Sequence, residues 1–426
     1  MSKSFSGGIH PAYNKALTAE IPIADMPLPD KVRLPFSQHI GAPCKPLVAK
    51  GDIVAMGQKI ADSDSFVSAP IHASVAGEVV LVDDQAIEIK TDREKSRLAA
   101  KAQSYSNQAE LRKIIREAGI VGMGGATFPT HVKVTPPEGV TIHTFMINGA
   151  ECEPFLTTDH RVMLEQGEEM IAGSKLLMEA CGADKTVIGI EKNKPDAIEH
   201  LSQLTAQEPD FAVTAVQVKY PQGWEKQLVK SLVGEEVPDK GLPLDLGIVM
   251  NNVATAVAVY QAVEYGEPLI NRVVTVSGSG INKPQNVRVA LGTSVADLVG
   301  FCGGLKPEAA KIIDGGPMMG KALSSLDTPI TKGTSGILVF NRDEIRLFSE
   351  EPCIRCASCV DACPSRLLPN YLALYVKREM LDEAEEINLM SCIECGCCSY
   401  VCPSKIPLVH YYQRGKQEIN ARNRKK

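Results

Sequence analysis

Along the first hundred residues the apolar positions come in short runs, near 31–35, 45–48 and 79–82, separated by Gly and Pro turns. Runs this short and this often interrupted predict a β-rich barrel or sandwich over residues 1–100. From residue 108 the period changes. Helices are expected at 111–118, stopping at Gly119, at 161–180, stopping at Gly182, and at 196–204, 224–233 and 253–264. Strands are expected at 141–147, 186–190, 212–218 and 246–250. Such alternation marks an α/β layer unit, assigned to residues 108–266, whose ligands gather beyond the carboxyl ends of its strands. Residues 267–342 read as a small mixed module, with strands at 273–277 and 287–290, a helix at 295–301 and a turn at Gly315 and Gly316. Residues 350–426 carry two cysteine runs joined by helical segments around 367–385.

Length and composition agree with this division. At 426 residues the chain exceeds one ordinary core, and 44% hydrophobic with 23% charged residues is the balance of a soluble globular protein. No apolar run reaches the ~18 residues that span a bilayer; the most apolar stretch, 244–263, is interrupted by Asp245, Asn251 and Asn252. A net charge of -6 argues against nucleic acid as a partner. The tail from 414 to 426 holds six basic residues and one acid, which fits a solvated helix end or a contact with anionic lipid or an acidic partner. The chain starts without a charged, apolar and small-residue leader, so a reducing compartment is expected, where thiols stay free for metal.

The cysteines carry the sharpest chemistry. Cys353, Cys356, Cys359 and Cys363 precede Pro364, and Cys392, Cys395, Cys398 and Cys402 precede Pro403, so C-x2-C-x2-C-x3-C-P occurs twice. This is the bacterial ferredoxin spacing for two 4Fe-4S clusters, in which three thiolates hold one cluster and the fourth cysteine of the run reaches the other. One cluster is therefore expected on Cys353, Cys356, Cys359 and Cys402, and the second on Cys392, Cys395, Cys398 and Cys363. Structural zinc usually takes two separated CxxC knuckles, without a third cysteine at the next step or a proline after the fourth. Cys44, Cys152, Cys181, Cys302 and Cys397 lack the spacing and read as buried thiols.

The second candidate site is glycine-rich. Gly122, Gly124 and Gly125 lie in the segment GIVGMGGATFPT that starts at Gly119, and glycine at this density lets backbone amides close on a phosphate. The loop follows a helix, which separates it from the Rossmann dinucleotide fingerprint. Lys133 lies eight residues beyond Gly125. The run Asn148 to Pro154 contains Glu151 and Glu153 after a strand, and Asn251 and Asn252 open a helix whose N-terminus favours anions.

These residues, in this order, resemble the flavin- and NADH-binding subunit of respiratory complex I. With the GGIHP segment from Gly7 to Pro11 and the doubled cysteine motif, the whole chain resembles the RnfC family of the Rnf electron-transport complex. The residues 48–82 resemble a biotinyl or lipoyl carrier domain, but no lysine lies between Ile60 and Ala73, so a scaffold without a prosthetic arm is expected. The module at 267–342 resembles a β-grasp ligand-binding domain. The implied fold class is multidomain α/β: a β-rich lipoyl-like N-terminal domain, an α/β flavin/NADH-binding domain, a β-grasp module and a C-terminal helical double 4Fe-4S ferredoxin domain.

The resemblance implies FMN on Gly122, Gly124, Lys133, Asn148, Glu151, Asn251 and Asn252. It implies NAD(H) beside Gly125, Phe128 and Glu153, with the segment from Tyr220 to Glu225 as a further cofactor-facing stretch. Met123 and Thr127 stand where the complex I motif has arginine and glycine. The implied activity is that of an NADH-dependent flavin/iron-sulfur oxidoreductase component on the cytoplasmic face of the bacterial inner membrane, peripheral to it, in an ion-translocating complex. The implied partners are integral membrane subunits, a ferredoxin-docking subunit and NADH. Two other readings share the domain content: a cobalamin reductase of a propanediol-utilisation system, and a non-catalytic two-cluster adaptor.

Overall fold

In the computed structural model, residues 3–95, 98, 101–346 and 348–424 are described; Lys425 and Lys426 of the basic tail lie outside the described residues. The N-terminal unit is a pair of small antiparallel sheets. One orders Lys31–Pro35, Ala86–Thr91, Gly77–Val82 and Ile53–Val54; the other orders Lys45–Pro46, Lys59–Asp62 and Ile71–His72. Strand alternation explains the closure: Val32 and Leu34 are buried against Ile87 and Ile89, while Arg33 faces outward to Glu88 and Asp83.

The second unit is a four-stranded parallel sheet in the order Phe211–Val216, Lys185–Glu191, Thr144–Gly149, Ile248–Asn252. Helices on its faces bury Ile248–Asn252 completely, as a parallel strand between two layers requires. Helix Val253–Glu264 follows directly, with Asn252 Oδ1 accepting from the Ala254 amide at 2.9 Å. It crosses helix Gly167–Cys181 at Gly173, where an added Cβ would sit 1.8 Å from the Ala256 carbonyl oxygen. The helix expected over 161–180 is in fact two, Thr158–Glu165 and Gly167–Cys181, because Gln166 leaves helical geometry at φ -129° and ψ 30°. The apolar period runs through this break, since Val162, Met163, Met170 and Ile171 all enter the same core.

That core continues without interruption into the N-terminal unit. The third unit is a six-stranded mixed sheet in the order Ala24–Asp25, Gln285–Ala290, Asn271–Ser277, Gly336–Asn341, Ala309–Asp314, Lys321–Ala322. Its edge strand Ala24–Asp25 comes from the N-terminal segment, so the chain's start is woven into the module farthest from it in sequence among the β units. The cysteine-rich unit is helical, with Pro369–Lys377, Leu381–Glu386 and Leu408–Asn423 packed around Leu372, Val376, Leu389, Tyr412 and Ile419. The basic residues of its last helix are turned to pairing within the unit: Arg414 meets Glu418 and Glu379, Lys416 meets Glu394, and Arg422 meets Asp382 and Glu385.

Candidate functional site

The register that sets Asn252 beside Asn148 puts both residues at the carboxyl ends of adjacent parallel strands, the place where an open α/β sheet presents its crevice. The glycine loop closes on the same edge. A Cβ on Gly124 would lie 2.8 Å from Asn252 Nδ2, whereas one on Gly125 would meet nothing. The loop is fastened below its exposed tip: the Gly122 amide donates to the Phe128 carbonyl at 2.8 Å, and the Met123 amide donates to Thr255 Oγ1 at 3.0 Å. Gly124 and Gly125 are exposed and Phe128 is half-buried.

The remaining residues join this edge through hydrogen bonds. Asn148 Nδ2 donates to the Gly223 carbonyl at 2.7 Å, and two residues later Glu225 pairs with Lys133. Glu151, at φ +47°, folds its carboxylate onto the start of helix Thr158–Glu165. It accepts there from Thr158 Oγ1 at 3.1 Å, the Asp159 amide at 2.7 Å and the His160 amide at 3.3 Å. Asp159 Oδ2 accepts from Asn252 Nδ2 at 2.7 Å; burial, then the Glu151 charge, push its pKa up to about 7. Glu153 instead meets the third unit, accepting from the amides of Met318 at 3.1 Å and Met319 at 3.0 Å. Burial pushes its pKa up to about 7, against those two donors.

Asn251 stands out in this edge, because both its amide atoms are buried without a partner. An unpaired buried amide costs roughly 1–3 kcal/mol per group, a penalty removed by a ligand with donors and acceptors of its own. An orphaned amide beside an open glycine loop at a helix N-terminus suits the polar ring edge and phosphate of a flavin mononucleotide.

Three buried cations and the half-buried Lys15, none revealed by a sequence pattern, hold these loops. Lys15 Nζ donates to the carbonyls of Glu151 and Glu153, each at 2.9 Å, and of Leu156. Lys194 Nζ donates to the Ala150 carbonyl at 2.7 Å. Arg272 Nε donates to the Thr334 carbonyl at 3.1 Å, and its Nη2 to the Met123 carbonyl. Lys332 Nζ, fully buried, donates to the carbonyls of Pro70 and Gly119, each at 2.7 Å, and so ties three units together. Burial lowers the pKa of Lys332 to about 8 and that of Arg272 to about 10. Lone basic residues far apart in sequence carry no periodic signal, so only the tertiary contacts reveal them.

The cysteines fall into two cavities. Cys363, Cys392, Cys395 and Cys398 line one together with Cys397, among Leu367, Leu372, Val409 and Tyr412. Cys353, Cys356, Cys359 and Cys402 line the other. Each run thus sends its fourth cysteine into its neighbour's cavity. The first cavity holds the buried Cys395 and Cys398, while the second opens where Cys353 and Cys356 are exposed. Left-handed residues Arg355, Ala357 and Glu394 turn the cysteine loops tightly, and the amides of Leu367 and Glu394 reach Cys363 Sγ and Cys392 Sγ, both at 3.4 Å. Four sulfur donors with amide hydrogen bonds are the environment that iron-sulfur clusters use; in the first cavity Cys397, outside the ligand spacing, is a fifth sulfur. Cys44, Cys152, Cys181, Cys302 and Cys397 are all buried.

Comparison with known proteins follows the same division. Residues 115–261 match the Nuo51 FMN-binding domain, residues 346–403 the 4Fe-4S dicluster domain, residues 3–97 the RnfC barrel sandwich hybrid domain and residues 273–322 the SLBB domain. Together these define a multidomain flavin and iron-sulfur electron-transfer protein. The chain is 49% identical over 99% of its length, and 95% of the relative's, to a subunit of the proton-translocating ferredoxin:NAD(+) oxidoreductase complex of Clostridium ljungdahlii. It is 42% identical over 99% of its length, and 98% of the relative's, to the corresponding subunit of the Na(+)-translocating ferredoxin:NAD(+) oxidoreductase complex of Acetobacterium woodii. It belongs to the RnfC family of Rnf ion-translocating ferredoxin:NAD oxidoreductase complexes. An NAD+-reducing [NiFe]-hydrogenase shares the fold at 20% identity and TM-score 0.50, over 65% of this chain and 54% of that one. No helix among the described residues is long and apolar enough to cross a membrane.

Proposed function

We propose that the chain is the peripheral subunit through which electrons pass between NADH and the membrane-embedded part of an Rnf complex, on the cytoplasmic face of the bacterial inner membrane. Bound FMN supplies the exchange between two-electron hydride chemistry and the one-electron chemistry of the two 4Fe-4S clusters. In this reading Gly122, Gly124, Lys133, Asn148, Asn251 and Asn252 seat the flavin, with Glu151 ordering the loop beside it. Gly125 leaves room for the nicotinamide nucleotide and Phe128 offers it a ring, while Glu153 anchors the third unit. Hydride transfer between two stacked rings requires no side-chain acid or base, so the protein's part is to orient the rings and keep water from the site.

The observation that carries the reading is the crossed arrangement of the cysteines next to the flavin edge. The cavity of Cys363, Cys392, Cys395 and Cys398 abuts the second unit through Tyr220 and Cys152, and the cavity with exposed Cys353 and Cys356 faces outward. This gives an inner station near the flavin and an outer one open to a ferredoxin-docking subunit or to integral membrane subunits. Anaerobic purification with iron, sulfide and flavin analysis, followed by an NADH titration read by EPR, tests it. About eight irons, one FMN and two NADH-reducible signals are expected; a colourless zinc protein or clusters unresponsive to NADH would refute it.

A further inference from the structure

Between the flavin edge and the inner cysteine cavity lies a side chain that bonds to the loop of a cluster ligand. Tyr220 is 1% exposed, and its hydroxyl donates to the Cys395 carbonyl at 2.8 Å. Its own backbone is clamped by an antiparallel bridge to Ile9, the two amide-to-carbonyl bonds each 2.9 Å long. The Tyr220 carbonyl also lies 3.9 Å from Cys397 Sγ. Three residues on, the Gly223 amide donates to Cys152 Sγ at 3.2 Å and the Gly223 carbonyl accepts from Asn148 Nδ2 at 2.7 Å. A single stretch of four residues therefore touches a cysteine of the inner cavity at one end and the flavin-edge asparagine at the other.

The surroundings make that hydroxyl consequential. Ile9, Cys152, Ala362, Cys395 and Cys397 bury it, with the Glu153 carboxylate beside it, and in such low-dielectric surroundings the bond to the Cys395 peptide is worth more than it would be in water. The N-terminal segment closes the seam from outside. The Gly8 amide donates to the Ala362 carbonyl at 2.9 Å, and a Cβ on Gly7 would lie 2.6 Å from the Cys363 carbonyl oxygen. The Cys395 loop is thus held against the second unit by a rigid ring whose orientation is fixed at its backbone. Hydrogen bonds to the cluster sulfurs and solvent exposure are among the quantities that set a cluster's potential, and the Tyr220 bond fixes the peptide of the residue that carries one of those sulfurs.

Resting on the flavin and cluster assignment above, we propose that Tyr220 is a positioning residue that fixes the inner cluster's Cys395 loop against the flavin-side Gly223–Asn148 contact, tuning that cluster alone. The outer cavity of Cys353, Cys356, Cys359 and Cys402 has no Tyr220 contact and is left untouched.

The experiment uses the full chain, reconstituted with FMN and clusters, as parent, Tyr220→Phe and Tyr105→Phe. Tyr105 serves as the control: its hydroxyl donates to the Glu179 carboxylate at 2.9 Å, and it lines neither cysteine cavity. Tyr220→Phe is expected to shift the midpoint potential of one EPR signal and leave the other in place. It is also expected to release that cluster's iron to a chelator on the order of tenfold faster, as loss of an outer hydrogen-bond partner does at metal sites. Stopped-flow reduction of the flavin by NADH should keep its parental rate, while the following reduction of the inner cluster slows; Tyr105→Phe should leave this flavin-to-cluster step unchanged. Two intact clusters with unaltered potentials, release rates and internal transfer in Tyr220→Phe would overturn the Tyr220 role alone. A parent that binds no cluster or no flavin would instead overturn the assignment on which it rests.

Discussion

Arg272, rooted on a strand of the third unit, donates its guanidinium to the main-chain carbonyl of Met123 in the glycine loop. Met123 occupies the position at which the related complex I motif carries arginine, so a cation reaches this loop from another unit. Arg272→Met would leave the Met123 and Thr334 carbonyls without their donor, an expected loss of roughly 2–4 kcal/mol spread between folding and flavin binding. FMN affinity measured by fluorescence quenching should fall about tenfold or more, since 1.4 kcal/mol is tenfold. Unchanged affinity would remove the loop-anchoring role.

Lys15 makes a parallel case from the opposite end of the chain. Its ammonium serves three carbonyls of the loop that carries Glu151 and Glu153. Lys15→Met should therefore lower stability by roughly 2–5 kcal/mol and weaken flavin retention in gel filtration. Arginine at this position would restore charge without fitting the same three oxygens, so only partial recovery is expected.

Gly124 and Gly125 separate packing from ligand space. Gly124→Ala drives a methyl onto the Asn252 side chain and should displace that amide from Asp159, with FMN binding lost before the fold. Gly125→Ala meets no protein atom, so thermal stability should stay within about 0.5 kcal/mol of the parent while the KM for NADH rises. An equal loss of stability in both variants would contradict the geometry.

Glu153 provides a pH test. Its folded pKa is raised, from 4.5 to about 7, so the folded state holds a proton that the unfolded state has already released between those values. Its contribution to stability is fully present below the unfolded pKa and is lost as pH rises through the folded one. Glu153→Gln, which stays neutral, should gain on the parent as pH rises from about 5 to about 8 in urea denaturation. A stability difference independent of pH would show that the buried carboxyl titrates normally.

How much of the molecule is readable in its sequence depends on the kind of signal. Strand Lys31–Pro35 and helices Val253–Glu264 and Val295–Phe301 stand where the apolar period puts them, because each buries one face on a regular repeat. The cysteine groups are readable because ligand spacing is itself chemistry. Edge strand Ala24–Asp25 is invisible, since two residues show no period and their pairing partner is more than 250 positions away. The break at Gln166 is hidden by a core face that continues across it. Lys15, Lys194, Arg272 and Lys332 escape notice for a different reason: a cation held by main-chain carbonyls is recognised by those carbonyls, and they come from distant loops.

The crossed cysteine sets carry the whole reading, and Cys363→Ser and Cys402→Ser separate them. Each variant, purified without oxygen, should keep about four irons and one of the two EPR signals. Cys363→Ser should lose the inner signal, the one whose potential responds to Tyr220→Phe, and Cys402→Ser the outer. If Cys363→Ser instead abolished the signal supported by Cys353, Cys356 and Cys359, the ligands would not cross between the runs and the path from flavin through inner to outer cluster would be wrong.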